Sequence, residues 1–248
     1  MYPEITNAGG FSNAINNAFS EIKSDLKVLI DENTSKIPLT YSIIQKENKY
    51  SQIYIASKEK LYLPDFWKDG VCLANGKTES IIELVKAIDF WINNDITSED
   101  LSRKFEFVET NSNAHAFDSG NETEYTWNQM LNNESKSELR EFIQIAIQDE
   151  VLGKLFPFTS LYTLCFSRCT GYPYDTKDLP NVTPKLDSLT IPKMDEINEK
   201  TEFDNMIYVV TKNKTEFLGQ GNAIEALKIV KHNLPKNITS AIKGTAED

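Results

Sequence analysis

Apolar positions recur along this chain with two periods, and the switches between them outline the elements. Between 12 and 32, Ile15, Ala18, Phe19, Ile22, Leu26, Leu29 and Ile30 fall at three- and four-residue spacing. That stripe predicts an amphipathic helix, with Ser12 placed to cap it. The Asn- and Gly-rich residues 6–10 before it read as loosely ordered. TYSIIQ (40–45) and QIYIAS (52–57) are rich in β-branched and aromatic residues and flank the turn residues Glu47, Asn48 and Lys49, which predicts a hairpin. LYLPDFW (61–67) and VCLA (71–74) extend the strand pattern, although Pro64 demotes its segment to an edge or an irregular stretch.

Helical spacing returns over 79–93, where Ile81, Leu84, Val85, Ile88, Trp91 and Ile92 share a face behind Thr78 as cap. Thr97 to Lys104 predicts a short helix, and the polar, small residues 110–121 an exposed loop. A helix starts near Asn121 and carries Trp127, Met130 and Leu131. Ser135-x-x-Glu138 is a capping box that opens another, bearing Leu139, Phe142, Ile143, Ala146, Ile147 and Val151. LFPF (155–158) stops it, LYTLCFSR (161–168) reads as a buried strand, and the three prolines of 170–190 predict a long loop. MIYVVT (206–211) and TEFLG (215–219) are strand-like, and a last helix runs from Asn222 to before Pro235. The polar tail 236–248 reads as frayed. Strands and helices come in blocks, which favours an α+β fold with an antiparallel or mixed sheet and several flanking helices. The expected division is an N-terminal helix and hairpin region over 1–68, an α+β domain over 69–235, and the tail.

Charge narrows the partners. The net charge is −11, and residues 95–150 hold 13 acids against 4 bases. Nucleic-acid binding draws on Lys and Arg against a dense negative charge, so no nucleic-acid partner is expected, whereas a basic protein would be steered in. Glu99, Asp100, Glu122 and Glu124 are the candidate contacts in this acidic stretch. No apolar run approaches the roughly 20 residues a membrane span needs. The start MYPEITNAGG lacks the basic flank and apolar core of a signal peptide. Three cysteines make no disulfide framework. The expected setting is the cytoplasm, with reduced thiols.

The stretch LYTLCFSRCTGYPY (161–174) raises the chemical question. Cys165 and Cys169 are spaced C-x3-C, but Cys72 is distant and His115 and His232 form no compact ligand set with them. A structural zinc takes about four such ligands, so no metal or other cofactor is expected. A cysteine nucleophile needs an oriented base, and nothing in the spacing supplies one. Arg168, at a strand end, offers a planar fork for a carboxylate or phosphate. The alternative, favoured in a chain with 37 acids, is that it pairs with an internal acid and pins the following loop. Gly171 is expected in a backbone shape closed to other residues. Tyr172 and Tyr174 flank Pro173: exposed, they form a protein-binding surface; buried, they anchor the loop. Gly219-Gln220-Gly221 lacks the third glycine of a dinucleotide loop, since Ile224 stands there, and reads as a strand-to-helix turn.

The order FPF (156–158), LCFSRCTGYPY (164–174), LP (179–180) resembles a bacterial family of unknown function whose members are often labelled natural product biosynthesis proteins. The helix carrying Trp91, the segment around Trp127 and a final helix ending at Pro235 fit the same pattern, over about residues 70–235. The resemblance implies a bacterial origin and supplies no catalytic residues. The expectation is a non-enzymatic protein-binding module, such as an immunity protein against a basic toxin. The alternatives are a peptide- or carrier-binding accessory factor in natural product biosynthesis, and an enzyme built on Arg168, Cys169 and a histidine.

Overall fold

The computed structural model describes residues 2–28, 41–185, 206–213 and 215–248, without the side chains of 134–136. It divides into two compact units, Met1–Gly120 and Asn121–Asp248. Each contains a five-stranded antiparallel sheet in simple meander order, so the fold is α+β. The turn after residue 68, expected to close the first region, joins two paired strands inside one sheet.

In the first unit, helices α1 (Pro3–Asn7) and α2 (Phe11–Glu21) precede strands β1 (Tyr41–Lys46), β2 (Lys49–Ile55), β3 (Tyr62–Lys68) and β4 (Val71–Gly76). Then come α3 (Ile81–Asn93), α4 (Ser98–Lys104), β5 (Val108–Thr110) and α5 (Ala114–Ser119). Helix α2 is shorter than its apolar pattern. It ends where Lys23 takes a left-handed conformation (φ 60°) and the Ser24 N–H bonds back to Phe19 O at 3.0 Å, a closing turn of the Schellman type. Gly10, not Ser12, is its N-cap. Leu26 is buried from the loop that follows; Leu29 and Ile30 lie outside the described residues. Residues 6–10 are more ordered than expected, since α1 runs to Asn7.

Strand β3 is central rather than an edge. Pro64 faces Ile53 on β2, while the β4 ladder starts one residue later at Asp65↔Asn75, so the missing N–H falls at an unpaired rung. Gly76 leaves room there: a Cβ on it would meet Pro64 Cγ and Phe107 Cδ2 at 3.1 Å each. Ser80 caps α3 instead of Thr78, accepting from Glu83 N–H. The expected loop 110–121 contains α5, which buries Ala114, Ala116 and Phe117. Asp118 ties it to α4 by accepting from Ser98 N–H (2.8 Å) and Oγ (2.6 Å). One face of the sheet closes over a core that includes Ile15, Phe19, Ile53, Phe66, Leu84, Ile88 and Trp91.

The second unit opens with α6 (Glu122–Leu131) and α7 (Arg140–Ala146). The segment expected to start a helix at Ser135 forms a 3-10 turn over Glu134–Leu139, and regular helix begins only at Arg140. Strands β6 (Phe156–Ser160), β7 (Thr163–Ser167), β8 (Pro180–Pro184), β9 (Tyr208–Lys212) and β10 (Glu216–Gly221) then build the sheet, and α8 (Ala223–Asn233) closes it. FPF is thus itself a strand. Strand β8 sits inside the expected loop, with Pro180, Val182 and Pro184 on its buried face; residues 186–190 lie outside the described residues. Trp127, Phe142, Phe166, Val182, Tyr208, Val210 and Val230 pack as one core. The Trp127 indole donates to Leu155 O at 3.1 Å, which satisfies the one polar atom of that buried ring. Gly219–Gly221, read as a strand-to-helix turn, lies instead inside β10, where it pairs with Tyr208–Val210 after a register shift between Phe217 and Gly219. The turn falls one residue later, at Asn222, whose capping box with Glu225 starts α8.

Candidate binding surface

Strand β7 ends at Ser167, and its polar end sets up the next turn. The Ser167 hydroxyl donates to Cys169 O (2.6 Å), and Cys169 N–H returns a bond to Ser167 Oγ (3.0 Å). Arg168 therefore leaves the strand at a fixed angle. Its N–H donates to Asp175 O at 3.0 Å. Its guanidinium donates to Asp175 Oδ1 at 3.1 Å and to Lys177 O at 2.8 Å. The loop 168–177 is a ring closed by this pair. Arg168 has the internal partner that the residue count favoured.

Cys169 is 3% exposed. Its sulfur accepts from Asp175 N–H at 3.1 Å and lies near Gly171 O (3.6 Å), Pro173 O (3.7 Å) and Ser167 Oγ (3.4 Å). The thiol is thus a hub around which the loop folds. None of these neighbours is a general base. His232 is exposed in the last turn of α8, and His115 belongs to α5 of the first unit. Cys165 is buried on β7. Among the described residues no group of three or more His, Cys, Asp or Glu could hold a metal.

The two tyrosines divide the roles that were alternatives for them. Tyr174 stacks on Phe158 at 4.3 Å between centroids and lies 5.7 Å from Phe156. Burial, and then the nearby Cys169, push its phenol above the ordinary value. Tyr172 meets Tyr174 edge-on at 5.9 Å and is 69% exposed. FPF and GYPY are therefore two halves of one aromatic stack. Gly171 is not among the glycines with positive φ; it is buried, and its N–H bonds across to the tail.

The tail departs most from expectation. Ile242 bridges Cys169 in parallel, with Ile242 N–H donating to Arg168 O (2.9 Å) and Thr170 N–H to Ile242 O (3.1 Å). Gly171 N–H donates to Gly244 O (2.7 Å), Ala246 N–H to Pro173 O (2.8 Å), and Ala241 N–H to Lys154 O (2.8 Å). A 13-residue polar tail with isolated apolar positions has no periodic signal. Only the AIKGTA run, with its aliphatic residue two before a glycine, could have hinted at an extended segment.

The acidic candidates separate. Glu99 and Asp100 lie in the first turn of α4, and both pair with Arg103. Hydrogen bonds from Thr97, in a capping box, hold the Asp100 carboxyl below its ordinary value. Glu122 is only 5% exposed, and its Oε2 has no partner among the described residues, so its carboxylate does not face solvent as expected. Glu124 is exposed on α6. The acidic stretch 95–150 also crosses the division between the units at Gly120. In the second unit, residues 121–150 hold seven acids and two bases, whereas 151–248 hold twelve of each. All the net charge of that unit therefore comes from the segment of α6 and α7.

A family model, the family of unknown function DUF6193, matches residues 122–245. The chain belongs to this family. The match coincides with the second unit and includes the Arg168–Tyr174 loop, the FPF strand and most of the tail that pairs with the loop. It begins well after residue 70, so the Trp91 helix lies outside it. No curated protein and no solved structure matches the chain. No helix among the described residues is long and apolar enough to cross a membrane.

Proposed function

We propose that this DUF6193 protein is a non-enzymatic protein-binding module, and that it serves as a bacterial immunity protein neutralising a basic toxin in the cytoplasm. The observation that carries the proposal is the build of the 168–174 loop. Its reactive side chains are engaged internally, Arg168 with Asp175 and Cys169 with the Asp175 N–H. One large ring, Tyr172, is held outward. An amphipathic ring on a pre-ordered loop is a typical anchor of a protein interface, because little entropy is lost when it docks. The charge of the α6–α7 segment, with Glu124, Glu141 and Glu150 exposed, supports a basic partner, since charge complementarity speeds encounter. The second reading is a peptide- or carrier-binding factor in natural product biosynthesis, supported by the Phe158–Tyr174–Tyr172 stack.

The test is capture from a native bacterial lysate at low and high salt with three baits: wild type, Tyr172→Ala, and a Glu124, Glu141 and Glu150→Lys triple variant. The immunity reading expects one stoichiometric basic protein that is released by salt and lost with both variants. A carrier protein or peptide precursor retained at high salt favours the second reading. Capture that is indifferent to Tyr172→Ala overturns the placement of the surface.

A further inference from the structure

The tail does not cover the 168–173 segment with apolar bulk. It lies beside it and completes its backbone hydrogen bonds around one parallel bridge, Cys169–Ile242. Arg168 O, Thr170 N–H, Gly171 N–H and Pro173 O form an edge, and each is taken by residues 242–246. We infer that this edge is a docking site for an extended segment, and that residues 241–246 are its resident occupant, exchangeable against an extended segment of a partner running in the same direction. The inference deepens the binding role proposed above by naming how the partner would engage the Tyr172 loop.

Three observations carry it. First, the strap is held mainly by backbone. Ile242 is 66% exposed, and Lys243, Ala246, Glu247 and Asp248 are exposed as well. Five backbone hydrogen bonds of modest net worth are set against the ordering of six residues. Those terms are of similar size, which places the strap at the low-stability end of the fold. Second, the edge is specific about what it takes. Gly244 is buried at φ 122°, in the bend that follows the Ile242–Cys169 bridge. A side chain there would be strained, so an occupant needs glycine two residues after the position of Ile242. Third, the loop that carries the edge has closures of its own besides the strap. The Arg168–Asp175 pair and the Cys169 hub close the loop from within. An edge that reads backbone in this way is the strand-addition mode of peptide recognition.

The test has two arms and needs no knowledge of the natural partner. In the full chain, hydrogen exchange of the Thr170, Gly171, Ile242 and Ala246 amides is compared with that of the Phe166, Val182 and Val210 amides. The strap amides are expected to exchange together, faster than the sheet by at least ~100-fold. In the second arm the chain is stopped after Ser240, and a peptide of residues 240–248 is added in trans. The shortened protein is expected to bind it and the full chain to bind at least ~10-fold more weakly, because its edge is occupied. A peptide carrying Gly244→Val is expected not to bind. Strap amides as protected as the sheet, or a folded shortened chain that ignores the peptide, overturn the inference. If the shortened chain fails to fold, the exchange arm decides. Loss of partner capture with Tyr172→Ala leaves both arms unaffected, so the two readings fail separately.

Discussion

Asp149 holds the corner between α7 and β6, and replacing it measures what that corner contributes. Its side chain is 7% exposed. One carboxylate oxygen accepts from Val151 N–H and Leu152 N–H at 3.0 Å each, and the other meets the Lys231 ammonium in the last turn of α8. Lys231 is 47% exposed, so solvent discounts the ion pair to about 0.5 kcal/mol. Each backbone N–H left without its acceptor in this partly buried corner costs about 1 kcal/mol. Asp149→Ala is therefore expected to lose ~2.5 kcal/mol, and Asp149→Asn, which keeps one acceptor oxygen, about half of that. Lys231→Met loses only ~0.5 kcal/mol. Urea unfolding followed by circular dichroism reads all three. The pH dependence gives an independent check. Burial alone would raise the Asp149 carboxyl, but the Lys231 bond and the two backbone N–H groups outweigh it and hold it below the ordinary 3.8. The unfolded chain then binds the proton first as pH falls. The stabilisation is complete above pH 3.8 and lost as the pH drops through the folded value. The wild-type advantage over Asp149→Asn should shrink in that window. A loss below about 0.5 kcal/mol for Asp149→Ala, or an advantage constant down to pH 2, refutes the reasoning.

Two further outcomes follow from the first unit. Lys49 is buried and donates to Asn94 O (2.7 Å) and Trp91 O (3.1 Å) at the end of α3; desolvation, then Lys68, lowers its pKa from 10.5. Because the unfolded chain holds that proton longer as pH rises, stability should climb toward pH 10.5 in wild type relative to Lys49→Met, and a difference that stays flat from pH 7 upward sinks the assignment. Gly76→Ala should lose ~1–2 kcal/mol by pressing on Pro64 and Phe107. Phe107→Leu should restore part of that loss in the double variant, with additivity in the melts as the contrary result.

How far the chain could be read by eye depended on how each element is stabilised. The hairpin β1–β2, helix α3 with its apolar stripe and the start of α8 at Asn222 rest on local periodicity and local hydrogen bonds, and all three lie where the pattern puts them. The charge and the internal fate of Arg168 were legible for the same reason: an arginine among 37 acids finds one. Elements with sparse patterns were not. Strand β8 reads as loop because Pro180 and Pro184 break the signal; it is a strand because Val182 pairs with Leu164 and Val210 on either side. Helix α5 is too short for a period and exists because Ala114 and Phe117 have somewhere to bury.

By itself, then, the sequence determined the α+β class, the helices and strands with strong periods, and the residues that make up the aromatic loop. Those follow from side chains interacting with near neighbours along the chain. Only the tertiary structure decided that the division falls at Gly120, that Pro64 sits in a central strand, that Tyr172 points out while Tyr174 stacks on Phe158, and that the tail lies along Arg168–Pro173. Each depends on groups far apart in sequence. The tail contact is the extreme case, because backbone N–H and C=O groups are the same in every residue but proline and leave no mark in the sequence that pairs them.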